Sequence, residues 1–145
     1  MIPALANAEF MRYGVMHRNT FLDAPRLLDG AFRMKANPNL LFAGQMTGVE
    51  GYMESAASGI LAGINAVRQV RGEKPLILPR DTMMGALAGH VCDENKHYQP
   101  MGANFGILPP IEPHIRDKKS RYAALSQRAL ASLAPALADD MKGRE

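Results

Sequence analysis

The chain has 145 residues, 47% of them hydrophobic and 21% charged, with 17 Lys plus Arg against 14 Asp plus Glu and a net charge of +3. This is ordinary globular composition in a chain long enough for one domain with its own core. A single cysteine excludes a disulfide framework and a CxxC metal site, and no run approaches the roughly 18 apolar residues of a membrane span, so the expectation is a cytoplasmic, metal-free chain with no membrane partner.

In chain order, residues 8–14 alternate enough to predict a strand, and 16–25 form a polar loop. Ala31 to Met34 and Leu40 to Ala43 read as two strands joined by a turn over 35–39, where Asn37-Pro38-Asn39 is a turn signal. A long helix is predicted from about Gly51 to Arg71, ended by Gly72 and Pro75. Its Gly59-x-x-x-Gly63 spacing resembles a membrane dimerisation motif, but Glu54, Ser55, Ser58 and Asn65 argue against that reading. Small residues at Ser55, Gly59 and Gly63 instead let one helix face pack closely on a sheet or a cofactor-binding strand. Thr82 is placed to cap a second helix through about Val91. Residues 95–113, rich in Pro, Gly and Asn, predict an extended loop. Arg116 to Leu137 closes the chain as an amphipathic helix, with Leu125, Ala129, Leu130 and Leu133 on one side and Pro135 straining its last turns.

The segment carrying most chemistry is NLLFAGQMTGVEGYMESAASGILAGIN, from Asn39 to Asn65. An apolar run ends in Gly44, a loop containing Gln45, Thr47, Gly48 and Gly51 follows, and a helix begins. That order brings backbone N–H groups and a positive helix end to one spot, suited to a phosphate or an electron-rich ring edge. An ordinary strand-to-helix turn has the same pattern.

The wording of this segment closely resembles the C-terminal flavin-contacting segment of the folate- and FAD-dependent tRNA uracil-5-methyltransferases, relatives of the GidA-type tRNA modification flavoproteins. Four further blocks resemble the same family in the same order: RYGVMHRNTFLDAP, PRDTMMGALAGHV, QPMGANFGILPPI and RDKKSRYAALSQRAL. The resemblance implies an α/β fold, the C-terminal portion of a Rossmann-like FAD-binding flavoprotein followed by a mainly helical tail. It implies FAD and methylenetetrahydrofolate as cofactors, NAD(P)H as reductant and tRNA as partner. The chain lacks the G-x-G-x-x-G fingerprint that the family carries near its own N-terminus. The expectation is therefore a C-terminal fragment whose partner is the missing N-terminal part of the same polypeptide. Residues 1–38 would be a return segment from the missing domain, 39–92 the end of the FAD-binding domain, and 93–145 an extended loop with a basic helix.

By resemblance, Gly44, Gln45, Thr47, Gly48, Gly51 and Tyr52 contact the flavin, Tyr52 by stacking on its ring. His17, Arg18 and Asn19 form a compact polar patch able to hold a heteroaromatic ring or an acid, and the family assigns it a folate or active-site role. Asn104 and Phe105 are the contact residues of a loop walling the site, on resemblance alone. Arg116, Lys118, Lys119, Arg121 and Arg128 form a basic stretch suited to phosphate backbones, although a solvated helix face has the same look. Catalytic residues are expected upstream, and none in this chain. Cys92 reads as a packing residue, which His90, Lys96 and His97 would activate only by lowering its pKa. Two rival functions remain: a GidA-type enzyme of the tRNA wobble uridine, and a non-catalytic RNA-binding remnant. Thr47, Val49-Glu50 and Met53-Glu54-Ser55 fit the folate-dependent branch better than the GidA wording.

Overall fold

A computed structural model describes residues 3–9, 11, 14, 20–94 and 98–142 of the chain. The predicted strand at 8–14 lies partly outside that set, and its described residues are not in a strand.

Helix α1, Ala24–Leu27, is a single turn with a proline in its opening positions. Behind it, the Asp29 carboxylate accepts from the Ala31 and Arg33 amides at 2.9 and 3.1 Å and pairs with the Arg33 guanidinium at 2.7 Å. These bonds hold a turn in which Phe32 has φ of 63° and is fully buried. A left-handed phenylalanine is unfavourable by itself, and burial of its ring offsets that cost. Strands β1, Arg33–Met34, and β2, Asn37–Leu41, then pair antiparallel.

The hairpin differs from the sequence expectation. The turn is confined to Lys35 and Ala36, and Asn37-Pro38-Asn39 opens the second strand. Asn37 Oδ1 accepts from the Asn39 amide at 3.2 Å, a local bond usually found in turns. Pro38 is exposed in a two-stranded ribbon, where every strand is an edge and a missing N–H is tolerated.

A 3₁₀ turn at Gly44–Thr47 leads to α2, Tyr52–Val70, whose buried face carries Ser58, Leu61, Ala62 and Asn65. Helix α3, Met83–Cys92, starts where predicted, with Thr82 Oγ1 accepting from the Gly85 amide at 3.0 Å. The following loop contains a 3₁₀ turn at Phe105–Ile107 and a parallel bridge from Met101 to Val49, so it is more ordered than expected. Helix α4, Lys118–Lys142, contains Pro135. Leu125 is buried, but Leu130 is 69% exposed. Five residues on, it sits about 140° around the helix from Leu125, off the packed side.

The main core draws Leu28 and Phe32 from the N-terminal part, Val49 and Leu61 from the middle, and Leu87, Val91 and Tyr98 from around α3. Among the described residues, no helix is long and apolar enough to cross a membrane. The architecture is mixed α/β, with a small two-stranded sheet.

Candidate cofactor site at the glycine loop

The loop between β2 and α2 is pinned from three directions. From α2, Ser58 Oγ accepts the Gly44 amide at 2.9 Å and Ser55 Oγ donates to the Val49 carbonyl at 3.3 Å. From the segment after α3, the Tyr98 hydroxyl donates to the Thr47 carbonyl at 2.6 Å. From 101–103, Met101 exchanges backbone bonds with Gly48 and Glu50, each 3.0 Å, and the Ala103 amide donates to Glu54 Oε1 at 3.2 Å. Within the loop, Thr47 Oγ1 donates to the Gly44 carbonyl at 2.8 Å.

Gly48 shows why glycine is required. Its φ is 84°, and a Cβ there would lie 2.0 Å from the Tyr98 hydroxyl. Any other residue would have to displace a buried tyrosine.

These contacts sort the sequence candidates. Gln45, Gly51 and Tyr52, together with Val49 and Ser55, line an open cleft of about 220 Å³. Thr47 and Gly48 are turned into the protein and shape the loop from behind, so the Thr47 side chain does not reach the cleft. The Gly44 amide is taken by Ser58 Oγ. The donors left for a ligand include the Gln45 side-chain amide and those of the first turn of α2, whose N-cap Gly51 supplies no side-chain bond. Tyr52 is 98% exposed, and no ring contact involves it among the described residues.

His17, Arg18 and Asn19 lie outside the described residues. Just beyond them, the Leu22 amide donates to the Met46 carbonyl at 2.8 Å, so that strand of chain runs beside the glycine loop. Asn104 caps the Phe105–Ile107 turn, accepting from the Gly106 amide at 2.9 Å, and follows directly on the Ala103 anchor. Phe105 stacks on Tyr122.

The basic stretch divides. Arg116, Lys118 and Lys119 are exposed, and Arg121 is half-buried. Arg128 is withdrawn from the set: its guanidinium donates to the Pro109 and Pro110 carbonyls at 2.6 and 2.7 Å. Its Nε also lies 3.2 Å from Asp81 Oδ1, near enough to pair though out of line for a hydrogen bond. A cation satisfied in this way fastens α4 to the loop, and no arm is turned to a phosphate.

Cys92 is buried, and burial, aided by Asp29 and Asp93, pushes its thiol up to about 12. Of the groups considered for activating it, Lys96 and His97 lie outside the described residues, and the burial of the thiol works against activation. Sequence reasoning missed Tyr98, which meets Phe21 edge-on and His90 at a tilted angle and fills the space over Gly48. Fifty residues separate Tyr98 from the glycine it covers, so no local pattern connects them.

An uncapped helix start, glycine backbone at positive φ and an exposed aromatic ring beside a cleft together fit one wall of a site for a flat ring carrying phosphate, as FAD does. A glycine loop at a helix start in an α/β frame is a design shared by nucleotide-cofactor proteins.

The chain belongs to the family described as glucose inhibited division protein A, whose family model matches residues 1–74. It is 60% identical over 135 residues to the methylenetetrahydrofolate–tRNA-(uracil-5-)-methyltransferase TrmFO of Streptococcus suis, covering 92% of this chain and 30% of that protein. The protein of the same name from Streptococcus gordonii is 58% identical over 139 residues, 94% of this chain and 31% of the relative. The chain thus spans about 30% of the length of the curated relatives it matches. A solved structure of GidA from Aquifex aeolicus is 35% identical, with a TM-score of 0.44, covering 46% of this chain and 11% of that one.

Proposed function

We propose that this chain is part of a folate- and FAD-dependent tRNA (uracil-5-)-methyltransferase, forming the flavin-side wall of its active site and the end of its Rossmann-like FAD-binding domain. The observation that carries the reading is the 60% identity to such an enzyme across 92% of the chain. The cleft at the start of α2 supports it. Gln45, Gly51 and Tyr52 line the cofactor cleft, Gly44, Thr47 and Gly48 hold its shape, and Asn104 extends the wall. His17, Arg18 and Asn19, next in the chain to a segment bonded to the loop, take the folate-side role. Bound FAD would supply the electrons that reduce a one-carbon unit from methylenetetrahydrofolate, with NAD(P)H as the source. The residues of this chain bind and orient. Tyr52 offers a face for stacking, and the first turn of α2 offers donors and a positive end to an electron-rich ring edge or phosphate. The covalent nucleophile belongs to another part of the enzyme.

The test is a transfer assay on the polypeptide that carries this chain, with labelled methylenetetrahydrofolate, FAD, NAD(P)H and unmodified tRNA. Label at carbon 5 of a T-loop uridine is expected, and Tyr52→Ala should lower bound flavin or turnover while Tyr122→Ala leaves flavin content unchanged. Modification of the wobble uridine instead would favour the GidA-type enzyme, consistent with the family model. RNA binding without either product would favour a non-catalytic remnant.

A further inference from the structure

The basic residues and the wall loop meet at a second cavity that the sequence kept apart. Phe105 lies flat on Tyr122, ring centroids 4.1 Å apart and planes 8° from parallel. Lys118 Nζ and Arg121 Cζ lie 5.6 and 5.8 Å from the Tyr122 centroid. An open cavity of about 250 Å³ is lined by Phe105, Pro109, Ile111, His114, Arg121 and Leu125, among others. One arm of Arg121 donates to the Ile115 carbonyl at 3.3 Å. Neither Arg121 nor Lys118 has an ion-pair partner among the described residues. Asp117, one turn before Arg121, is the acid that feels its charge, and it forms no close ion pair with it. A flat aromatic surface with cations at its rim matches the physical demands of an unpaired nucleotide: a π-face for the base and positive charge for its phosphate. Double-stranded RNA buries its bases and would use only the cations. A purely anionic ligand would gain nothing from the rings.

We propose that Phe105, stacked on Tyr122 and rimmed by Arg121, Lys118 and His114, forms a subsite for one unpaired nucleotide of an RNA loop. The base packs on the part of Phe105 that lines the cavity, and Arg121 and Lys118 hold the adjoining phosphate. The inference rests on the reading that the protein acts on RNA. The Ala103–Glu54 bond, two residues before Phe105, ties the loop that carries this subsite to the first turn of α2.

The experiment compares binding of a labelled oligouridylate and an abasic ribose-phosphate strand of equal length to the full chain. The wild type should bind the oligouridylate about tenfold more tightly than the abasic strand. Phe105→Leu, which keeps apolar packing and removes the flat face, should erase that difference while its melting temperature stays close to wild type. Arg121→Gln should keep the base preference and lower the slope of log affinity against log salt by about 0.7. A folded Phe105→Leu that still prefers bases tenfold overturns the proposal, as does an unchanged slope in Arg121→Gln. Base-dependent binding together with absent methyl transfer would sink the enzyme reading and leave this subsite standing.

Discussion

At Gly48 a single missing side chain decides the shape of the cleft. Gly48→Ala must strain a backbone at φ of 84° and push away a tyrosine whose hydroxyl holds the Thr47 carbonyl at 2.6 Å. It should lower stability by about 1–3 kcal/mol, measured by urea unfolding, and Tyr98→Phe should cost about 1 kcal/mol through the lost hydrogen bond alone. A neutral Gly48→Ala would mean that Tyr98 does not seat as described. Tyr98 also titrates late, pushed up to about 12 by burial, as Cys92 is. Their ordinary values are 10.0 and 9.0, so above pH 9 the unfolded chain releases protons that the folded chain keeps. Stability is then fully present below pH 9 and falls as pH rises toward about 12. Unfolding measured at rising alkaline pH should show this loss, reduced in Cys92→Ala. An equal loss in that variant would remove the buried thiol from the account.

Elements were legible in the sequence where a local rule sets them, and not where a distant partner does. Thr82 capped α3 as its position required, and α2 ran close to its predicted bounds because Gly72 stops it. The hairpin slipped because the Asp29 carboxylate, which lies before the predicted strand, and the buried Phe32 at φ of 63°, which no strand accommodates, fix where β1 begins. Arg128 looked like its basic neighbours until its carbonyl partners 18 and 19 residues away were in view. Asn65 had figured only as a polar residue unsuited to a membrane. In the fold it is 1% exposed, donates to the Leu76 carbonyl at 3.0 Å and accepts from the Leu76 amide at 2.7 Å, clamping the 73–79 segment to α2. Asn65→Leu leaves both Leu76 groups buried without partners, each costing about 1–3 kcal/mol. The variant should lose about 2–5 kcal/mol by chemical denaturation, and a loss below about 1 kcal/mol would mean that water replaces the clamp.

On the scale of the whole molecule, the outward side of α2 has no internal explanation among the described residues. Tyr52, Met53, Ile60, Val67 and Val70 are each more than half exposed and, at helical spacing, share one stripe with Gly59 and Gly63. A Cβ at either glycine would meet nothing within 4 Å. The expectation that these small residues let the helix pack closely on a sheet or a cofactor-binding strand is not met among the described residues, where nothing packs there. The same one-sidedness governs the cleft at the head of α2. Its described wall offers donors from one helix start, the Gln45 amide and one exposed tyrosine, and the chain contains no G-x-G-x-x-G loop to hold a pyrophosphate. A dinucleotide seated there would leave most of its surface in water, whereas tight small-molecule sites bury most of theirs. The 145-residue chain alone should therefore bind FAD weakly, with little quenching of flavin fluorescence in titration. A stoichiometric complex with a sub-micromolar dissociation constant, roughly −8 kcal/mol or better, would show that one wall is enough and that the rest of the relatives' length is not needed to hold the cofactor.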